Sequence, residues 1–288
     1  MGHGRWEERV YSSYTASASS KTREEIFTSH HLNADLDPSK ILVREAVDSA
    51  ENPSATPIIL GVDETGSMGR LAEIIIRTGL GTIMKRIYDH KPVPDPQILC
   101  MGLGDAECDQ APIQVTQFEA AVAPMTKQIE AIWLEGAGGG NNGESYPLAW
   151  WFAVNKTTCD AIVKRGRKGY LFTIGDECPL PILRRDQIQR FLGGSAQSDV
   201  AIADLLKECQ QFWHVFHLIV KPVANQPVVQ TWTNLLGDHA IPVQDENLLP
   251  DVIVALIRIT EGQTNVTDDL DHNTALVVRD ATKHLVTA

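Results

Sequence analysis

The sequence predicts an α/β fold. The expected architecture is a doubly wound, three-layer αβα domain with a mainly parallel central sheet and one antiparallel edge strand. Three observations carry this. From Ala55 onward, short apolar runs alternate with segments of helical period. The runs are apolar at nearly every position, which marks strands covered on both faces. Three of them end directly on an aspartate, at Asp63, Asp105 and Asp176. In open α/β sheets ligands gather beyond the carboxyl ends of the strands.

The elements follow in order. Residues 1–54 are polar, with a Ser-rich stretch from Tyr11 to Ser20 expected to be extended or flexible. Only Lys40–Val47 is apolar enough to dock, so the segment reads as a disordered leader or as an arm onto a neighbouring subunit. The domain proper spans 55–262. Its first strand is Pro57–Val62, and a helix from about Arg70 to Tyr88 carries Leu71, Ile74, Ile75, Leu80, Ile83, Met84 and Ile87 on one face. Gln97–Gly104 is a second buried strand. Pro112–Phe118 alternates like an exposed edge strand, and a helix is expected over Ala120–Leu134.

A glycine-rich loop, Gly136–Ser145, precedes a Trp-rich helix, Tyr146–Lys156. Lys168–Ile174 is the fourth strand. Helices near Ile182–Phe191 and Asp199–Gln210 lead to a strand at Phe212–Val220. A helix near Val229–Leu236, a short strand at Ala240–Val243 and a helix from Pro250 to Thr260 complete the order. Pro250 suits a first helical turn and Gly262 a C-terminal cap. Residues 263–288 read as a polar tail with one apolar patch, Ala275–Val278.

Composition narrows the function. The 288 residues carry 25 Lys and Arg against 37 Asp and Glu, a formal charge of −12. No basic run tracks a phosphate backbone, which argues against nucleic acid. An acidic chain suits cations or a basic protein surface. The five cysteines form no C-x-x-C pair, which argues for a reducing compartment and against a zinc ribbon or disulfide framework. With no apolar signal region and no run of about 18 apolar residues, a cytoplasmic protein is expected, with no membrane partner.

The chemistry concentrates in Asp63-Glu64-Thr65-Gly66-Ser67. Asp63, Thr65 and Ser67 stand at alternate positions between a buried strand and a helix start. Three oxygen-bearing side chains so placed suit a hard cation such as Mg²⁺; helix capping is the simpler use of any one of them. If the first and fourth strands are neighbours, Asp176 converges on the same crevice as Asp63.

This pattern resembles the metal-ion-dependent adhesion site of von Willebrand factor A domains, whose motif is D-x-S-x-S, with Thr65 in place of the first Ser. The string DETGSMG is closer to the intracellular, prokaryotic and phage members than to the secreted adhesion proteins. The loop GGGNNGESYPLA is similar to the family's second metal loop, and Asp176 in FTIGDE to its last metal-site Asp. The resemblance covers about residues 55–262. It implies a non-enzymatic module that binds a divalent cation, Mg²⁺ first with Mn²⁺ or Ca²⁺ as alternatives, and takes a partner protein's carboxylate at an open coordination position. The implied ligands are Asp63, Thr65, Ser67, Asn141 and Asp176. The family's second-loop Thr is missing here, so Asn142 or Glu144 are alternatives to Asn141. Glu64, Asp105, Glu107, Asp109, Glu144 and Glu177 are candidates for an acidic rim.

Two other classes compete. Thr65-Gly66-Ser67-Met68-Gly69 looks like a nucleophile elbow, with Asp176 and His239 following in order for a serine hydrolase, but no strands precede it to build that sheet. A structural, self-assembling component, including a phage or defence-system protein, would use residues 1–54 to form a homo-oligomer. His214 and His217 lie three apart on a strand, on opposite faces, and suit structural roles. Trp150 and Trp151 read as core.

Overall fold

A computed structural model describes residues 4–19, 21–64, 80–135, 143–221 and 226–286. The strands are β1 (Arg44–Ala46), β2 (Thr56–Asp63), β3 (Pro96–Leu103), β4 (Ile113–Val115), β5 (Thr157–Cys159), β6 (Gly169–Gly175), β7 (Ile182–Leu183), β8 (Val200–Ala201), β9 (Trp213–Ile219) and β10 (Ala240–Pro242). The helices are α1 (Glu8–Ser19), α2 (Arg23–Ile26), α3 (Leu80–His90), α4 (Val122–Glu130), α5 (Pro147–Asn155), α6 (Asp160–Arg165), α7 (Arg185–Leu192), α8 (Ile202–Phe212), α9 (Gln226–Leu236), α10 (Leu249–Thr260) and α11 (His272–Val286).

The main sheet has the order β10-β9-β6-β2-β3-β4. All pairs are parallel except β3–β4. Strand order reverses at β2: the chain moves outward to β3 and β4, then returns to β6 on the other side. The first and fourth predicted strands are therefore neighbours, with Val62 opposite Ile174.

Side-chain alternation splits the core into the two layers expected of a three-layer fold. Ile58, Leu60 and Val62 of β2 join Phe172 and Phe216 beneath α3, α10 and α11. Ile59, Leu171 and Val215 face α5, α7, α8 and α9. The helix α5 is apolar on every side, and Leu148 through Ala153 are all buried, as suits an interior helix. Trp150 and Trp151 are core residues, as expected.

Three segments differ from the sequence reading. Tyr11–Ser19 is helical rather than extended: Tyr11 and Ala18 are buried seven residues apart, and Trp6 stacks on Tyr88 at 4.9 Å between ring centroids. Tertiary contact here overrides a weak local preference. The edge strand β4 is antiparallel as predicted, but it is buried rather than exposed. Leu36 covers it, accepting the Val115 N–H through its carbonyl at 2.9 Å. The same stretch docks on its own chain: β1 pairs with β5, and the Lys156 ammonium donates to the carbonyls of Pro38 at 2.8 Å and Ile41 at 2.5 Å. Finally, the polar tail contains α11. Asp271 starts it by accepting from the N–H groups of Asn273 and Thr274. Ala275, Val278 and Ala281 recur at helical spacing and are buried, Val278 and Ala281 within the core.

Candidate metal centre at the strand reversal

The crevice between the carboxyl ends of β2 and β6 is built from the backbone outward. Asp63 ends β2 and is fully buried. It follows Val62, which pairs with Ile174 of β6, and Gly175 and Asp176 follow Ile174 on that strand's side. The two carboxylates predicted to converge thus stand at adjacent strand ends. Thr65, Ser67, Asn141 and Asn142 lie outside the described residues.

The second loop reaches the crevice through residues 143–146. Glu144 N–H donates to the Cys178 carbonyl at 2.8 Å, and Ser145 N–H to the Gly104 carbonyl at 3.2 Å. This pins the start of α5 between the loops that follow β3 and β6. Tyr146 then donates its hydroxyl to Asp63 Oδ2 at 2.7 Å. Burial, reinforced by the Asp63 charge, holds the Tyr146 phenol well above its usual range, so it stays a proton donor. Gly175 is needed here for space: a Cβ on it would lie 1.9 Å from Tyr146 Oη and 2.9 Å from Asp63 Oδ2.

Behind Tyr146 sits an aromatic group. His217 stacks on Trp232 with centroids 3.6 Å apart, and Tyr146 meets both edge-on at 4.9 and 5.4 Å. Trp232 Nε1 donates to the Glu177 carbonyl at 2.9 Å, which ties α9 to the residue after Asp176. His217 Nδ1 shares a 2.7 Å hydrogen bond with Thr173 Oγ1. Burial drives the His217 imidazole well below its ordinary value and His214 down to about 4. Both stay neutral in the fold at pH values where an unfolded His takes a proton. Their contribution is therefore complete above pH 6.5 and lost as pH falls. We expect stability to fall by about 1.4 kcal/mol per pH unit below about 6.5 from His217 alone. Urea unfolding at pH 7 and pH 5 measures it; His217→Phe should flatten the slope.

The acids expected at the rim are mostly folded inward. Glu64 lies over Gly102 and accepts from Gln114 Nε2 at 2.9 Å. Burial holds its carboxyl well above the usual range. Asp109 accepts the Asp105 N–H at 2.7 Å, and Asp105 accepts the Glu107 N–H at 2.9 Å. Glu144 is buried beside Cys178. Glu107 points outward, paired with Arg184 at 2.6 Å, and Glu177 is partly exposed. Burial has claimed Glu64, Asp105, Asp109 and Glu144 for loop geometry and leaves Glu107 and Glu177 toward solvent.

Two site residues went unrecognised in the sequence. Tyr146 was visible only as the start of a helix. Lys221, just past β9, places its ammonium 2.8 Å from Asp176 Oδ2. A Lys after a strand carries no local signal; only the β6–β9 pairing brings it there. His239, by contrast, is far from Asp176. Its Nδ1–H donates to the Val215 carbonyl at 2.8 Å, and Val215 aligns with Leu171. Five residue steps along the β6 direction, roughly 16 Å, separate that level from Asp176, so the two do not form an acid–histidine pair.

Toward a hard divalent cation the described residues supply the carboxylates of Asp63 and Asp176. Two carboxylates meet at adjacent strand ends, and a positive group already rests on one of them. Among the described residues no group of three or more His, Cys, Asp or Glu converges; the pattern in question adds hydroxyls instead.

No protein-family model and no curated protein matches the chain. Among solved structures it is similar to a von Willebrand factor type A protein from Catenulispora acidiphila, with TM-score 0.40 and 12% identity over 73% of this chain and 43% of that one. The pilus adhesin SpaC from Lactobacillus rhamnosus GG, in its open conformation, matches with TM-score 0.41 and 13% identity over 83% of this chain and 31% of that one. The human COPII-coat protein Sec24c matches with TM-score 0.37 and 12% identity over 71% of this chain and 32% of that one. The chain spans less than half the length of each. No helix among the described residues is long and apolar enough to cross a membrane.

Proposed function

We propose that this chain is a cytoplasmic, non-enzymatic interaction module that holds a divalent cation, Mg²⁺ in the first place, in the β2–β6 crevice and recruits a protein partner's carboxylate there. The observation that carries this is the meeting of Asp63 and Asp176 at adjacent strand ends where strand order reverses. Asp63 and Asp176 would hold the cation, with Thr65, Ser67 and Asn141 as the neutral oxygen ligands expected from the sequence. The bound cation would supply an electrophilic centre for an outside carboxylate. Tyr146 fixes the rotamer of Asp63 through its hydroxyl. The buried aromatic group behind it keeps water from the inner side of the crevice.

The test compares the proteins co-purified with wild type and with Asp63→Ala, each in Mg²⁺ and in EDTA. Partners that appear only with wild type in Mg²⁺ are expected. A partner set unchanged by both the substitution and the chelator would sink the metal-bridged module. Ester turnover lost in Ser67→Ala would point back to a hydrolase.

A further inference from the structure

We propose that Lys221 is a built-in competitor cation that occupies Asp176 and lowers the affinity of the crevice for its divalent cation. This rests on the metal-binding function proposed above and names what regulates it. The placement is set by the sheet. Val220 N–H donates to the Gly175 carbonyl at 3.0 Å, so the residue after it stands beside the residue after Gly175. Lys221 Nζ then reaches Asp176 Oδ2 at 2.8 Å. The Asp176 side chain is only 6% exposed, whereas that of Lys221 is 38% exposed. A carboxylate so buried is costly without a positive partner. The lysine approaches from the solvent side on a flexible stem, and therefore has a way out.

The backbone at Lys221 strengthens the case. Its φ is +50°, in the left-handed region that glycine occupies without strain and a lysine does not. Strain of this kind persists where the surroundings hold it in place, and it clusters at sites and switches. Here the side chain that glycine would lack is the one that neutralises Asp176.

The ammonium holds Asp176 Oδ2, one of the two oxygens a divalent cation would use, and neutralises the carboxylate's charge. Two like charges a few ångströms apart in a poorly solvated crevice repel strongly. Metal entry therefore weakens the Lys221–Asp176 pair and drives the ammonium toward solvent. The fraction of the metal's binding energy used to weaken the pair is missing from its observed affinity.

Calorimetric titration with Mg²⁺ alone, on wild type, Lys221→Met, Lys221→Gly and Asp63→Ala, decides the matter. Lys221→Gly removes the ammonium while relieving the backbone, which guards against loss of folding. We expect both Lys221 variants to bind Mg²⁺ about tenfold tighter than wild type. In EDTA, Lys221→Met should melt at lower temperature than wild type and regain more than wild type on adding Mg²⁺. Tight binding by the variants with none detectable in wild type would support the proposal further. If wild type binds Mg²⁺ in an Asp63-dependent way and the Lys221 variants bind no tighter, the competitor role is overturned and the metal site stands. If no variant binds at millimolar Mg²⁺, the metal site itself fails, and the competitor role with it.

Discussion

Gly175→Val is expected to cost about 3 kcal/mol of stability and to abolish Mg²⁺ binding. The first atom added would sit 1.9 Å from Tyr146 Oη and 2.8 Å from Tyr146 Cζ, where contact distances begin near 3.5 Å. Tyr146 has nowhere to retreat. It is fully buried, held edge-on to His217 and Trp232, and anchored through its hydroxyl to Asp63. The alternative is for β6 to move, but β6 is hydrogen-bonded to β2 on one side and β9 on the other. The variant must therefore break the Tyr146–Asp63 bond or separate the strands, and either change moves Asp63 or Asp176. Urea unfolding followed by Mg²⁺ calorimetry checks both parts. Wild-type stability together with wild-type Mg²⁺ binding would mean that the crevice is not packed as described. Gly175→Ala should show the same effects at reduced size.

Trp232→Ala is expected to cost about 3–5 kcal/mol. The indole is fully buried and has stacked, edge and hydrogen-bonded partners at once. Its loss removes the face of the His217 stack, the edge contact to Trp150 at 6.2 Å and the donor to the Glu177 carbonyl. That carbonyl is the next residue's, after Asp176, so the damage reaches the crevice as well as the core. Trp232→Phe keeps an aromatic face without the N–H and should recover about half of the loss. Equilibrium unfolding of the three proteins measures this. Equal stability of Trp232→Ala and wild type would show that α9 is not packed on the sheet as described.

The sheet was the most legible part of the molecule. Pro57–Val62, Gln97–Gly104, Lys168–Ile174 and Phe212–Val220 are apolar throughout because neither face meets water, and each became a strand within a residue or two of its expected bounds. The convergence of Asp63 and Asp176 was legible for the same reason: a doubly wound order makes the first and fourth strands neighbours. The two ends of the chain were less legible. Tyr11 and Ala18 lie too far apart to show as a periodic face, and the helix at His272–Val286 buries mostly small residues. Alanines at 275 and 281 give little hydrophobic signal in sequence, yet they let α11 lie close to its neighbours.

What the sequence determined alone was the alternation of strands and helices, and with it the crevice where Asp63 and Asp176 meet. These follow from local hydrophobic pattern, which each segment carries by itself. What only tertiary structure decided was the company those two aspartates keep. Tyr146 arrives 83 residues after Asp63 and Lys221 45 residues after Asp176. Neither pairing leaves a trace in spacing or composition, because each is made by strand register and by the docking of a loop. The acids around Asp105 teach the same lesson in reverse. Their charges are plain in the sequence, but burial and backbone hydrogen bonds, which depend on the folded surroundings, turn them from a rim into internal supports.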